Sequence, residues 1–273
     1  MRTHTILIIR SLGLFLLLLT AFSIGVRAAD GDPEDYKLRL EGAAWFGKAT
    51  GNIYYNGDYI DLGRDVGLGS TISPTFQVDF KPWRKHHFFF GAALRDVSNE
   101  AALSRDITFN GQTFAVGGSV ATDLRWNTYF LGYQYDFVRR RWGHIGIAAQ
   151  LNVLDMKAKI AATGTVSGAG ASPTAQGTAE GSVLAPLPVL GPEVRVYVVP
   201  NRVFIDGDIK GMYFFGYGQY IQAHAGLGIN FNRHVSLVGG YLLEGRTVVH
   251  GDTNRLGVKA TQAGAVAGLE ARF

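Results

Sequence analysis

Apolar and polar residues alternate with a period of two along most of the chain after residue 28. Successive side chains of a strand point to opposite faces, so this alternation predicts strands with one apolar and one polar face. Between Ile221 and Phe231 the odd positions are Ile, Ala, Ala, Leu, Ile and Phe, and the even positions are polar or glycine. Between Val203 and Tyr213, Asp206, Asp208 and Lys210 interleave with Ile205, Gly207 and Ile209. From Ala263 to Phe273 the odd positions are Ala, Ala, Ala, Leu, Ala and Phe, with Glu270 and Arg272 on the other face.

Two kinds of connection separate these segments, and they alternate along the chain. One kind is tight and basic: residues 81–85, 138–141, 200–202 and 232–234. The other is longer and richer in Gly, Asp, Asn and Thr: residues 56–69, 99–121, 162–182, 216–219 and 250–255. Four short turns and five long loops give about ten antiparallel strands with both ends of the sheet on the short-turn side. Eight strands is the alternative, if two hairpins lie outside the sheet. The predicted strand centres are Glu41, Val78, Ala93, Leu131, Ile147, Val196, Asp208, Gly226, Gly240 and Ala267. Asn110-Gly111 suits a type I′ hairpin tip. Residues 162–182, a tract of Gly, Ala, Ser and Thr, lack the apolar mass to pack and read as a mobile loop.

Composition sharpens this picture. The chain has 273 residues, 47% hydrophobic, yet the long apolar run is confined to the first 28. Arg2 and Arg10 flank a short basic region, Leu14 to Leu19 form the apolar heart, and Val26-Arg27-Ala28 suits a signal peptidase. Residues 1–28 therefore read as a cleavable signal peptide and residues 29–273 as the folded domain. No later run approaches the roughly 20 apolar residues of a membrane helix. The 36 glycines and 12% aromatics fit an all-β transmembrane up-and-down barrel, with glycine relieving crowding and aromatics forming interfacial girdles. Girdle candidates near the short turns are Phe80, Trp83, Phe88, Tyr135, Phe137, Trp142 and Phe231. Those near the long loops are Trp45, Phe46, Tyr213, Phe214, Phe215, Tyr217 and Tyr220.

Of 26 Lys and Arg, three lie in the leader, which leaves 23 against 22 Asp and Glu. A near-neutral chain gives no electrostatic case for a nucleic-acid partner. The absence of cysteine excludes disulfides, thiolate metal sites and a lipoprotein anchor.

The chain ends Gly268-Leu269-Glu270-Ala271-Arg272-Phe273. An alternating last strand closing on Phe resembles the assembly signal of bacterial outer-membrane β-barrel proteins. The resemblance spans residues 29–273 as a pattern. It implies residence in the bacterial outer membrane, contact with outer-membrane lipids, and recognition of Phe273 by the barrel-assembly machinery.

Alternation assigns the lumen face Arg39, Glu41, Asp79, Arg95, Asp136, Glu193, Arg195, Asp206, Asp208, Lys210, His224, Glu244, Arg246, Glu270 and Arg272. Buried charges of both signs must pair. They form either an ion-pair network that plugs a narrow barrel, the preferred reading, or the lining of a water-filled channel. Asp206 and Asp208 with His224 could instead activate water for hydrolysis. His234-Val235-Ser236 with Glu244 resembles the His-x-Ser and Glu set of outer-membrane lipid A deacylases. Here the Glu spacing is shorter, and His234 falls in a short turn. His86 and His87 point to opposite faces, which disfavours a metal site, and no phosphate-binding loop follows the glycines near Gly164. The chain is thus expected to need no cofactor and to be a non-enzymatic barrel serving envelope integrity, surface interaction or limited small-solute passage. A narrow porin-like channel and an outer-leaflet lipid hydrolase are the alternatives.

Overall fold

The computed structural model describes residues 32–55, 58–65, 69–103, 106–109, 112–114, 117–164, 175–214, 218–250 and 256–273. The signal-peptide reading of residues 1–28 lies outside the described residues. The strands are β1 (Leu38–Tyr55), β2 (Asp58–Asp61), β3 (Ser70–Trp83), β4 (His86–Ala93), β5 (Asp96–Ala102), β6 (Ile107–Phe109), β7 (Gln112–Phe114), β8 (Ser119–Arg140), β9 (Gly143–Gly164), β10 (Ala175–Val199), β11 (Val203–Phe214), β12 (Gly218–Asn230), β13 (Val235–His250) and β14 (Leu256–Arg272).

Ten of these close into a cylinder. β1, β3, β4 and β8 to β14 each pair antiparallel with the next, and β14 pairs back onto β1. β5 continues the line of β4 after a break at Leu94 and Arg95 and pairs with β8. β2 folds back on the end of β1. β6 and β7 form a hairpin in which Phe109 faces Gln112, while Asn110 and Gly111 themselves lie outside the described residues. All ten predicted strand centres fall in the ten wall strands.

The stagger of the wall follows from its registers. One line of paired residues runs Leu38, Phe80, Phe88, Tyr133, Ala149, Leu190, Gly211, Ile221, Gly245, Thr261 and returns to β1 at Thr50. The displacement from Leu38 to Thr50 is 12 residues. Ten strands with that shear tilt by roughly 40°, inside the usual range for closed barrels.

Alternation decides which side chains face out. Ile72, Phe90, Leu131, Ile147, Ile209, Leu227 and Leu237 are exposed on the outer surface. Phe80, Trp83, Phe88, Tyr135, Phe137, Trp142 and Phe231 ring it near the tight turns and are all exposed, as expected of a girdle. At the loop end Phe46 and Tyr213 are exposed, but Trp45 and Tyr220 are buried at 0% and 2%. These two correct the expected outer girdle. Trp45 shares parity with Arg39 and Glu41, and Tyr220 with Gln222 and His224, so the pleat turns both inward. Phe215 and Tyr217 lie outside the described residues, as does the side chain of Phe214.

The tight turns fall at 84–85, 141–142, 200–202 and 231–234. Lys81, expected in the first turn, is instead an inward residue of β3 and is 2% exposed. The expected loop 162–182 is also shorter than its composition suggests. β9 continues to Gly164 and β10 starts at Ala175, with Thr163 opposite Gln176 and Lys157 opposite Ser182. A two-stranded ladder satisfies its backbone through N–H and C=O groups that every residue except proline supplies, so small side chains do not end it. The strand tops are consequently uneven. β8, β9 and β10 have 22, 22 and 25 residues, against 12 and 13 in β11 and β12.

Candidate functional site

The interior is layered along the barrel axis. The layer nearest the tight turns begins with residues 32–37, which precede β1 and fold into the mouth. Glu34 is fully buried there. Its carboxylate accepts a hydrogen bond from the Tyr197 hydroxyl at 2.8 Å and lies 3.4 Å from His144 Nδ1, 3.7 Å from Lys81 Nζ and 3.8 Å from Arg195. Lys81 Nζ also donates to the Glu34 carbonyl at 3.0 Å, and Arg272 to the Pro33 carbonyl at 3.4 Å. Tyr36 donates to Asp79 at 3.0 Å, with Lys81 4.6 Å above its ring.

Around this segment the charges pair continuously. Arg39 meets Asp79 at 2.8 Å and Glu270 at 3.8 Å. Arg195 meets Asp206 at 2.9 Å and Glu270 at 3.2 Å, and Arg272 hydrogen-bonds Glu270. His87 bridges Asp79 and Asp136 at 3.0 Å on each side, and Gln134 donates to Asp136 at 2.8 Å. Phe204, fully buried, lies 4.2 Å beneath Arg195 and 5.6 Å from Arg272.

Above this layer is a polar chamber of about 170 Å³. Its walls include Glu41, Gln77, Gln150, Asn152, Glu193, Asp208, Lys210, Gln222 and His224. Lys210 pairs with Asp208 at 3.2 Å and Glu193 at 3.8 Å. His224 Nδ1 stands 3.8 Å from Asp208 and 4.0 Å from Asp206, beyond hydrogen-bond range. Glu41 lies opposite Glu270 in the β1–β14 register.

A third layer covers the chamber. Arg95, 3% exposed, meets Glu244 at 3.0 Å, and Tyr220 donates to Glu244 at 2.8 Å. The guanidinium sits 4.4 Å from the Trp45 ring and 5.8 Å from the Trp126 ring, a buried cation–π arrangement. Beyond it Leu62, Val120, Leu124, Leu154 and Met156 are buried, with Thr122 and Asp65 among them.

The predicted lumen residues therefore distribute over three layers. Arg39, Asp79, Asp136, Arg195 and Asp206 join in the lower layer, with Glu270 and Arg272. Glu41, Glu193, Asp208, Lys210 and His224 face the chamber, and Arg95 with Glu244 roofs it. The side chain of Arg246 lies outside the described residues. Sequence reasoning missed Glu34, Tyr36, Lys81, His87, His144 and Tyr197. The available signal was the acidic run Asp30, Asp32, Glu34 and Asp35 just ahead of a chain whose short turns are basic.

The suggested deacylase set does not assemble. Ser236 donates to Asn230 at 2.7 Å, His234 Nδ1 faces the Arg272 carbonyl at 2.8 Å, and Glu244 belongs to the roof layer with Arg95. His86 and His87 do face opposite sides: His86 packs outside against Tyr133 and Tyr135, and His87 lies inside. Among the described residues no group of three His, Cys, Asp or Glu could hold a metal.

Glu34 gives the mouth a pH dependence. Burial alone would raise its pKa. The close approach of His144 and the charges of Arg195 and Lys81 outweigh burial and hold it well below the usual carboxylate value. A depressed folded value contributes stability above the unfolded value of about 4.3, and that stability is lost as pH falls through the folded value. The difference in unfolding midpoint between wild type and Glu34→Gln in micelles is therefore expected to be largest at neutral pH and to shrink in acid. A difference that is constant with pH would contradict this.

No family model and no curated protein matches the chain. Solved structures do. The outer membrane protease OmpT of Escherichia coli aligns over 92% of this chain and 99% of its own, at 8% identity and a TM-score of 0.55. The Pseudomonas putida toluene transporter TodX covers 87% and 90% at 10% identity and a TM-score of 0.38. Neisserial surface protein A covers 86% and 97% at 13% identity and 0.35. At such identities the likeness concerns the fold alone. The chain has the closed ten-stranded antiparallel fold of bacterial outer-membrane β-barrels.

Proposed function

We propose that this is a non-enzymatic barrel of the bacterial outer membrane, its lumen closed to solutes, that serves envelope integrity or surface interaction through its long-loop end. The tight turns and both ends of the sheet face the periplasm, and Phe273 is the residue read by the barrel-assembly machinery. Phe273 is 41% exposed, and its carbonyl accepts from Lys37 and Leu38, so it stands accessible at the β14–β1 closure.

The observation that carries this reading is the lower layer. Residues 32–37 occupy the mouth, and the charges around them are spent on one another. A conducting path needs a water-lined gap with charges free to meet ions. Here Arg39, Asp79, Lys81, Glu34 and Glu270 are each no more than 5% exposed.

Planar-bilayer recording of the refolded barrel tests this. A silent membrane is expected, with folding verified by the heat-dependent gel shift. Steady conductance steps would overturn the reading in favour of a narrow channel. Loss of acyl chains from lipid A or phospholipid during prolonged incubation with the folded barrel would overturn the non-enzymatic part.

A further inference from the structure

We propose that the barrel wall parts along the seam between β10 and β11 and admits an acyl chain of the outer leaflet into the lumen. The proposal goes beyond the closed lumen of the preceding section and can fail independently of it.

The seam is visible in the ladders. On its β9 side β10 is paired without interruption from Ala175 to Val196. On its β11 side, among the described residues, pairing stops at Leu190 and Gly211 and skips the two positions between Leu190 and Glu193. β11 itself continues its pairing with β12 to Phe214.

The cause lies in the sequence. β10 carries Pro186, Pro188 and Pro192, and proline has no N–H to donate. Residues two apart on a strand direct their N–H groups to the same edge. The unbroken β9 ladder through all three prolines places their nitrogens on the β11 edge. Of the four donor positions 186, 188, 190 and 192 on that edge, only Leu190 retains a hydrogen. Parting an ordinary ladder inside hydrocarbon strands donors and acceptors at several kcal/mol each. At Pro188 and Pro192 the β10 donors are absent from the start, while Val194 and Val196 keep theirs, so the part of the joint toward the long loops separates at lower cost.

The flanks specify the occupant. Outside, Leu190 and Ile209 are 53% and 57% exposed. Inside, Leu187 and Val189 are buried apolar residues. Met212 shares inward parity with Lys210 but is 44% exposed where Lys210 is 6%. An edge without N–H groups is a poor template for a strand from another chain, and behind it Phe76, Phe130, Val238, Leu242 and Val266 give the otherwise polar chamber an apolar side that suits hydrocarbon. Along the axis the space behind the seam is covered below by the ion-pair layer and at the roof by Arg95, Glu244 and the tryptophans, so the lateral path is the short one.

The test uses the absence of native cysteine. Val189→Cys with Met212→Cys places two thiols opposite each other in the register of the Leu190–Gly211 pair, and oxidation locks the seam. The reduced and oxidised barrels are reconstituted in phosphatidylcholine vesicles carrying a diazirine on one acyl chain, irradiated, and mapped by mass spectrometry. Outward Leu190 and Ile209 should be labelled in both forms. Inward Leu187, with Leu242 and Val266 of the chamber wall, should be labelled when reduced and lose the label when oxidised. Replacing all three prolines by valine should abolish the inward label without any cross-link. Outward labelling with no inward labelling in the reduced barrel overturns the proposal, as does inward labelling indifferent to the lock. Conductance recorded on the same samples reports the closed lumen separately.

Discussion

Replacing Arg195 by alanine is expected to destabilise the barrel by about 3–5 kcal/mol, the range for removing one partner of a buried charge network. Arg195 is 5% exposed and lies within 4 Å of Glu34, Asp206 and Glu270. Its removal leaves Glu270 with Arg39 and Arg272, leaves Glu34 with Lys81, and takes from Asp206 its guanidinium partner. The cation–π contact with Phe204 goes with it. Urea unfolding in micelles, followed by the heat-dependent gel shift, provides the measurement. Arg64→Ala is the control: Arg64 pairs with Asp65 at 3.2 Å, but its side chain is 56% exposed, and exposed pairs contribute about 0–1 kcal/mol. Equal losses for the two variants would show that the lower layer carries no special energy.

The second large effect belongs to Gly143, the first residue of β9. Its φ is +136°, a conformation closed to L side chains, and an added Cβ would stand 1.9 Å from the Arg195 carbonyl oxygen. Neither can relax cheaply, because the atom in the way is backbone of the neighbouring strand. Gly143→Ala is expected to cost about 2–6 kcal/mol, the sum of backbone strain and overpacking. Two other glycines separate those contributions. Gly117 has φ +89° but open space around its Cβ, so alanine there should cost only the strain. Gly69 has open space and no such φ, so alanine there should be neutral. The order 143, 117, 69 in loss of unfolding midpoint is the expected result, and any other order would contradict this geometry.

The wall of this barrel was legible because a wall strand must satisfy two environments in alternation. That requirement marks every second residue from Ile221 to Phe231 and from Ala263 to Phe273, and turn composition supplied the strand count. Parity also placed Arg39, Asp79, Arg195 and Glu270 inside. It failed where aromatic type was allowed to outweigh parity: Trp45 and Tyr220 were assigned to the girdle by their chemistry, although their positions along the strand turn them inward. Lys81 failed for the same reason, since a basic residue beside a turn looks solvated. His87 and His144 face the lumen among inward neighbours such as Phe89 and Ala148, so no run of charges announced them. Residues 32–37 have no periodicity at all, and their placement depends on groups from β3, β9, β10 and β14. No local pattern encodes a contact of that range. Strand length was underestimated in residues 162–182 because loop composition was read as loop structure, whereas pairing there is a backbone property.

The seat of residues 32–37 has a consequence for the order of assembly. Glu34 meets Lys81 of β3, His144 of β9 and Tyr197 of β10, while Pro33 meets Arg272 of β14. These groups converge only once the first and last strands have joined. The segment that precedes the described strands therefore gains its full set of partners only at closure. On the closed-lumen reading proposed above, the stopper is then made by the same event that completes the hoop.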